Sequence, residues 1–567
     1  MFLVFQQPFR AFIVTLATEV VMKFSRLFLF ASLALLLCPL ASRAQEMDQH
    51  KHDMGEKLGR VSFSVSCNSA AQPQFNRAVA LLHSFWYDEA AKGFAEVTKT
   101  DPKCGMGYWG IAMSFYHPVW APPVAAELRN GSAAVQKANV VGAQTPRERD
   151  YIAAIAVFYK DADKFDHRTR ALAYEKAMEQ VYLRYPKDDE AAVFYSLALL
   201  GTALPTDKSY ANQRKAGEIL NKVLSSEPEH PGVAHYLIHS FDYPALAPMA
   251  LAAARSYAKI APSAPHALHM PSHIFTRLGL WQESIESNIA SAAAAKNYVA
   301  KIHPGTASFN QLHAMDYLTY AYLQTAQDEK AKAIVDETYG ITKVDDATFA
   351  AAYAFAAVPA RYAFERRQWA EAAALKLYPS DFPWSNFRYA EAMIYFTRAI
   401  GSSRSGDPAG ANQDIERLAS IQKSLSDAKE TYWATQVEIE RRAASAWLAH
   451  AEGKQEEALQ LMRSAADLED STEKNPVTPG AIVPARELLG DLLLELREPQ
   501  QALKEYEASL LVSPNRFNGL YGAARAAELS ADREKARSFY AKLATLGEPS
   551  NGTRPELQAA RVFLVRK

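Results

Sequence analysis

The sequence predicts an all-α fold built as an array of helix–turn–helix repeats. The clearest sign of a repeat is a pair of histidine motifs, because His235 and His269 lie 34 residues apart and so do His239 and His273. A period of 34 is typical of helix–turn–helix repeats. Apolar residues recur with the 3.6-residue period of amphipathic helices, and we find no convincing run of alternating strand residues. A chain of 567 residues is too long for one compact core, which also favours a repeat array.

The first 44 residues have the pattern of an export signal. Lys23 and Arg26 precede the apolar run 27–37, and small residues follow it. This order is typical of a secretory signal peptide, so we expect a periplasmic or secreted mature chain. The apolar run is too short to span a bilayer, so no stable membrane span is expected after cleavage; an uncleaved anchor is the alternative. Residues 1–21 precede Met22 and are interpreted as an upstream mis-start.

Charge and cysteine content narrow the classes of partner and the compartment. The formal net charge is −1 and no basic stripe is present, so we expect no nucleic-acid partner. Beyond the signal the chain keeps two cysteines, Cys67 and Cys104. In an oxidising compartment such a pair predicts a disulfide, which would fasten the N-terminal lead to the array. The alternative is two small buried thiols.

The mature chain is divided into a lead and three parts of the array. Residues 45–72 are predicted as an extended polar lead, which opens with a Met- and His-containing segment at 47–54. That composition suits soft or borderline metals such as copper, and it also suits a mobile terminus. An N-terminal array with the histidines is predicted at 73–345, degenerate helical repeats at 346–430 and a C-terminal array at 431–567.

One C-terminal unit shows the repeat pattern almost completely. Leu489 and Gly490 are followed by Ala502, Tyr506 and Pro514, which supply a small residue where helices cross, an aromatic residue and a closing proline. This unit resembles the tetratricopeptide repeat, and partial units extend the resemblance over most of the array. The resemblance implies a right-handed superhelical solenoid of an exported bacterial type, with a concave face that binds a protein or peptide partner. It implies little about activity.

Three segments interrupt the repeat period, at 117–123, 202–207 and 471–480. Insertions into solenoids usually emerge as loops, often on the binding face. We therefore expect these segments to be loops.

Two histidine pairs form the candidate metal site. His235 and His239 are four residues apart, and His269 and His273 repeat this spacing one unit later. Two histidines at this spacing share a helical face and can bind one ion. Neighbouring helices pack about 8–10 Å apart, so the four imidazoles could converge on one zinc or copper ion.

Other polar residues extend this candidate site. His266, His313 and Asp316 are candidate additional ligands, and a carboxylate among the ligands would suit non-haem iron. Four residues are predicted to face the groove: His83, His117, Asp242 and Arg277.

Pro271 leaves the local geometry open, because a proline inside a helix removes a backbone hydrogen bond and kinks it. Either a helix begins near Pro271, with 265–270 as an irregular approach, or a kinked helix runs from Pro265. In the first case His266 and His269 would be loop ligands. The 34-residue period favours the helical alternative.

Three interpretations of function remain. The leading one is an exported scaffold that binds a protein or peptide, with a histidine metal site of unknown occupant. The second is a metal-dependent enzyme or metal-handling protein that uses zinc, copper or iron and activates water or oxygen. Tyr236 and Met270 follow the first histidine of each pair, so the HExxH motif of zinc proteases is absent. The third makes the histidines purely structural.

Overall fold

The computed structural model describes residues 56–119 and 121–566, and within these ranges the fold is all-α, as predicted. Outside the helices, the described residues contain one isolated bridge, between Ala307 and Val344. No helix among them combines the length and apolar character needed to cross a bilayer. The predicted signal peptide and the Met- and His-containing segment lie outside the described residues.

The histidines lie on the N-terminal helices. These are α1 (Ala71–His83), α2 (Tyr87–Thr100), α3 (Gly105–Ser114), α4 (Ala125–Val141), α5 (Pro146–Tyr159), α6 (His167–Arg184), α7 (Asp189–Thr202), α8 (Ala211–Ser226), α9 (Pro231–Phe241), α10 (Leu251–Ile260), α11 (Pro265–His269), α12 (Pro271–Arg277), α13 (Trp281–Ile302) and α14 (Phe309–Gln324).

The array continues to the C-terminus with the same alternation of helices and short turns. The helices are α15 (Asp328–Gly340), α16 (Phe349–Glu365), α17 (Trp369–Ala373), α18 (Arg388–Ser405), α19 (Pro408–Asp427), α20 (Thr431–Ala451), α21 (Gln455–Asp470), α22 (Ala485–Glu495), α23 (Pro499–Val512), α24 (Phe517–Leu529), α25 (Arg533–Leu546) and α26 (Pro555–Val565).

Most helices pack mainly on their first and second neighbours in sequence, which confirms the repeat array. Helix α18 packs on α19 and also on α20, and α1 packs on α2 and α3 in the same way. This pattern is the one expected when helix pairs stack and bury a continuous core between them. The region 346–430, predicted as degenerate repeats, contains α16 to α19 with an irregular stretch between α17 and α18.

Two of the inner helices are buried on all sides. Every residue of α9 is buried, and so is every residue of α14 from Gln311 to Gln324. Helix α9 is covered by α1, and α14 is covered by α24, which are contacts between parts of the chain far apart in sequence. The histidines on α9 and α14 therefore lie inside the protein and do not line an open concave groove.

The segment between α21 and α22, residues 471–484, is partly buried against the inner helices and is called the strap below. Its backbone carbonyls accept hydrogen bonds from inner side chains, from the Tyr317 hydroxyl to Val477 (3.2 Å) and from the Tyr353 hydroxyl to Gly480 (2.9 Å). The strap contains the predicted insertion 471–480, which borders the histidine region.

The N-terminal lead is extended from residue 56, but it is not polar throughout. Leu58, Val61 and Phe63 are buried, and the Phe63 ring lies 5.1 Å from the Tyr151 ring and 5.7 Å from the Trp109 ring, centre to centre. These aromatic contacts attach the lead to the first helices and make it part of the core.

Cys67 and Cys104 are joined by a disulfide that closes a loop with a sequence separation of 37. A cross-link over such a loop restricts the unfolded chain and contributes about 2–4 kcal/mol. In the Cys67→Ser, Cys104→Ser variant, we expect the free energy of opening of α1 to α3, measured by hydrogen–deuterium exchange, to fall by that amount. Dithiothreitol should produce the same loss in the parent chain and none in the variant, whereas equal protection in oxidised and reduced protein would contradict the prediction.

Candidate metal centre

Six histidines from four helices meet in the interior. Helix α9 contributes His235 and His239, α11 contributes His266 and His269, α12 contributes His273, and α14 contributes His313. Their exposed fractions lie between 0% and 7%. Pro265 and Pro271 occupy the first turns of α11 and α12, where a proline costs no hydrogen bond. The chain bends at Met270 but stays helical, so His266 and His269 are helical residues.

The six side chains form two groups of three. The first triad is His235, His239 and His266, and the second triad is His269, His273 and His313; within each, one ligand nitrogen per residue lies within 4.8 Å of the others. The four histidines predicted around one ion are therefore divided between two sites. The 34-residue period related the two pairs correctly but could not show which third histidine completes each.

The hydrogen bonds of His269 fix the position of its proton. Its Nδ1 lies 2.6 Å from Oδ1 of Asn288, and Nδ2 of that amide donates to the carbonyl of Ser284 (2.8 Å). The second bond sets the orientation of the amide, so Oδ1 is the atom that faces His269 and it can only accept. Nδ1 of His269 therefore carries the proton, and Nε2 presents a lone pair.

His273 is fixed in the same tautomer by a carboxylate. Its Nδ1 lies 3.0 Å from Oδ2 of Asp242, an oxygen that accepts when the group is ionised. Nε2 of His273 therefore also presents a lone pair. A carboxylate or carbonyl behind a ligand histidine is the usual arrangement in metal sites, because it orients the ring and raises its basicity.

The two lone pairs of the second triad face each other. Nε2 of His269 and Nε2 of His273 are 3.0 Å apart. Two nitrogens bound to one ion at about 2.0–2.1 Å are separated by about 3.3 Å at a tetrahedral angle, so this spacing suits a shared cation. A proton could also lie between them, but burial lowers the pKa of both imidazoles and disfavours an extra charge of that kind.

The first triad is held by a backbone carbonyl. Nδ1 of His235 lies 2.6 Å from the carbonyl oxygen of His83, so its Nε2 presents a lone pair, 3.1 Å from Nε2 of His239. The ring of His266 lies 5.0 Å from that of His235, centre to centre. Burial lowers the pKa of His235 to about 3, so the ring is neutral and suited to metal binding at neutral pH.

The two triads are neighbours. The ring centres of His239 and His273 are 6.1 Å apart, and those of His266 and His269 are 6.0 Å apart. Ions bound at both triads would therefore be neighbours in the buried interior.

Neither predicted carboxylate ligand belongs to a triad. Asp242 accepts from Nζ of Lys474 (2.6 Å) and Nε of Arg277 (3.0 Å) as well as from His273. Burial raises its pKa, but Lys474 and Arg277 outweigh that effect and hold the pKa below its usual range. Asp316 pairs with Nε of Arg361 at 3.1 Å. Asp242 supports the site from behind His273, and Asp316 is part of a separate buried ion pair.

Three residues near α9 form a third cluster with different hydrogen bonding. Nδ1 of His230 accepts from the backbone N–H of Val233 (3.3 Å), so its Nε2 carries a proton and donates to Glu190 (3.0 Å). Nε2 of His83 lies 2.9 Å from the other oxygen of Glu190, and its Nδ1 lies 2.9 Å from the Tyr236 hydroxyl. These bonds satisfy the ring nitrogens without an ion, so the cluster differs from the triads.

The residues predicted to face a groove lie elsewhere. His83 is fully buried in the third cluster, with Gly232 so close that a Cβ there would lie 2.6 Å from its Nδ1. Asp242 and Arg277 are buried beside the second triad, and His117 is partly buried with Nδ1 3.6 Å from Glu127. The prediction missed this burial because it assumed that the inner face was open.

Sequence reasoning also missed the supporting residues. Asn288 and the His83 carbonyl had no recognisable signal, since an amide or a backbone group belongs to no ligand motif. Lys474 lies in the insertion 471–480, which the interrupted period had indicated as a loop without relating it to the histidines.

Comparison with known proteins gives no family for this chain. No family model and no curated protein matches it. Among solved structures, the Cut9–Hcn1 hetero-tetramer of APC/C matches at 12% identity over 88% of this chain and 96% of that chain, with a TM-score of 0.29. Yeast Tom70 matches at 10% identity over 88% and 96%, with a TM-score of 0.32.

A third solved structure is the human IFIT1 dimer with m7Gppp-AAAA, at 11% identity over 78% of this chain and 90% of that chain and a TM-score of 0.35. The fold assignment rests on the helix packing described above. The expected absence of a nucleic-acid partner stays a prediction.

Proposed function

We propose that this chain is a metalloprotein whose helical array encloses two adjacent transition-metal sites, each bound by three imidazoles. The observation that carries the proposal is the pair of unprotonated Nε2 atoms of His269 and His273, 3.0 Å apart. Asn288 and Asp242 fix both tautomers from behind, so a purely structural role would leave two lone pairs in repulsion.

The ligand type narrows the choice of metal. Six imidazoles and no carboxylate suit copper or zinc, whereas magnesium, calcium and manganese prefer oxygen ligands. Iron sites usually include a carboxylate, and both candidate carboxylates are engaged elsewhere. We therefore propose copper or zinc at both triads.

Three protein ligands per ion favour a catalytic site over a structural one. Three protein ligands leave an open position for water, oxygen or a substrate, whereas structural sites are closed by four. The Tyr317 hydroxyl lies 3.3 Å from Nε2 of His273, which places a polar group beside the second triad. We propose metal-assisted activation of water or oxygen as the reaction class, and the substrate is not assigned.

Export and a protein partner are separate parts of the proposal. The sequence pattern of residues 1–44 and the Cys67–Cys104 disulfide support an oxidising compartment. A protein or peptide partner would need a surface other than the buried histidine helices, because α9 and α14 are covered on all sides.

Elemental analysis tests the metal proposal directly. Tag-free mature protein, stripped with a chelator, reloaded with copper or zinc and dialysed, should retain two ions per chain. Magnesium should not be retained, because imidazole is a poor ligand for it. A His303→Ala variant, which alters an exposed histidine, should retain the same amount; less than one ion in the parent chain would contradict the proposal.

A further inference from the structure

A separate cavity is lined in part by the strap and by none of the six histidines of the triads. It is bounded by α16, α18, α20 and the strap, and it has about 60 Å³ for the centres of water molecules. Its walls carry five aromatic and two acidic side chains: Tyr353, Tyr389, Phe396, Tyr432, Trp433, Glu440 and Glu469.

Three of the aromatic side chains pack on one another in the cavity wall. The rings of Tyr389 and Trp433 are stacked with centres 4.2 Å apart, and Tyr432 meets Trp433 edge to face at 4.9 Å. Aromatic faces attract cations, most strongly where water is excluded, and quaternary ammonium groups are commonly bound in this way.

Neither acidic side chain is hydrogen-bonded to a cation of the described chain, although Arg516 and Arg486 lie close enough to lower the pKa of Glu469. Oε2 of Glu440 is shielded from solvent and has no hydrogen-bond partner, while Oε2 of Glu469 accepts only from the backbone N–H of Ala485 (2.8 Å). Burial raises the pKa of Glu440 to about 8, with a further contribution from Glu469, and burial raises the pKa of Glu469 to about 7. An ionised carboxylate here is destabilised unless a cation enters the cavity.

The nearby protein cations are already paired. Lys474 lines the cavity, but its Nζ binds Asp242 at 2.6 Å. Arg361 binds Asp316, and Arg486 binds Asp470 at 2.7 Å. None of these three is hydrogen-bonded to Glu440.

We propose that this cavity binds a small organic ammonium ion, with Glu440 as the main counter-charge and Trp433 and Tyr389 as the aromatic surface. At about 10–15 Å³ per buried water, the cavity holds about four to six non-hydrogen atoms. This size fits an alkylammonium or tetramethylammonium ion, and the site does not depend on the metal triads.

Titration calorimetry with tetramethylammonium chloride tests the proposal on the full mature chain. The ion should bind with a measurable Kd, and tert-butanol, a neutral molecule of similar size, should bind at least about tenfold more weakly because it gains no charge pairing. Glu440→Gln keeps the shape of the side chain. It should lower the affinity for the ion at least about tenfold while leaving the affinity for tert-butanol unchanged.

Two further variants keep the test decisive. Glu438 lies on the same helix but pairs with Arg441 and Arg442. The Glu438→Gln variant should therefore bind the ion with the same affinity as the parent chain. Trp433→Leu should lower the affinity for the ion. It provides a second test if circular dichroism shows that Glu440→Gln folds poorly. Equal affinity for ion and alcohol, no binding at millimolar concentration, or an unchanged Kd in folded Glu440→Gln would overturn the proposal.

Discussion

The double variant His269→Ala, His273→Ala is expected to reduce the metal content from two ions per chain to one. It removes the two facing Nε2 atoms of the second triad and leaves only His313 there, which cannot hold an ion alone. The first triad keeps its three nitrogens and the His83 carbonyl that supports it. Elemental analysis after chelation, reloading and dialysis measures this loss, and circular dichroism checks that the helices persist.

The complementary variant makes the assignment specific. His235→Ala with His239→Ala should remove the ion of the first triad and leave that of the second, and the quadruple variant should retain none. His303→Ala is again the matched exposed control. Loss of both ions in either double variant would show that the triads act as one site, and retention of both ions would rule the triads out as ligands.

Arg516→Met is expected to destabilise the C-terminal array by about 3–5 kcal/mol. Arg516 is fully buried and donates from Nη2 to Glu365 (2.6 Å) and from Nε to Glu487 (2.8 Å), so it links α16, α22 and the start of α24. Its removal leaves two buried carboxylates without their common counter-ion. The midpoint of urea unfolding, followed by circular dichroism, measures the effect.

A matched surface variant separates charge loss from burial. Arg525→Met removes a partly exposed arginine that pairs with Glu528 on the same helix, and we expect a change below about 0.5 kcal/mol. The triple variant Arg516→Met, Glu365→Leu, Glu487→Leu should recover most of the stability, since a buried ion triad can often be replaced by apolar residues. A comparable loss in Arg525→Met would contradict the role of burial.

The helical array could be predicted from the sequence because its determinants are local. The apolar period and the 34-residue spacing of His235 and His269 reflect contacts between adjacent helices. The contacts between distant helices could not be predicted in this way. Contacts of α1 with α9 and of α14 with α24 join segments far apart in the chain, and no local pattern records them.

The same distinction applies to the metal centre. All six histidines were identified as candidates from their spacing, but their division into triads depends on how α11 and α14 pack beside α9. Asp242 and Asp316 were candidate ligands because they are acidic and close in sequence. The structure pairs them with cations instead, Lys474 and Arg361 among them, and such pairing depends on tertiary packing.

The support of His235 by the His83 carbonyl has a consequence for folding. Repeat proteins usually fold through local contacts, and their stability spreads from unit to unit. Here the histidine on α9 depends on a backbone atom 152 residues earlier, and Asp242 depends on a lysine 232 residues later. Such non-local contacts slow folding, because long loops must close before they form. The centre should therefore become competent for metal only late in folding, after both the first helix and the strap have docked.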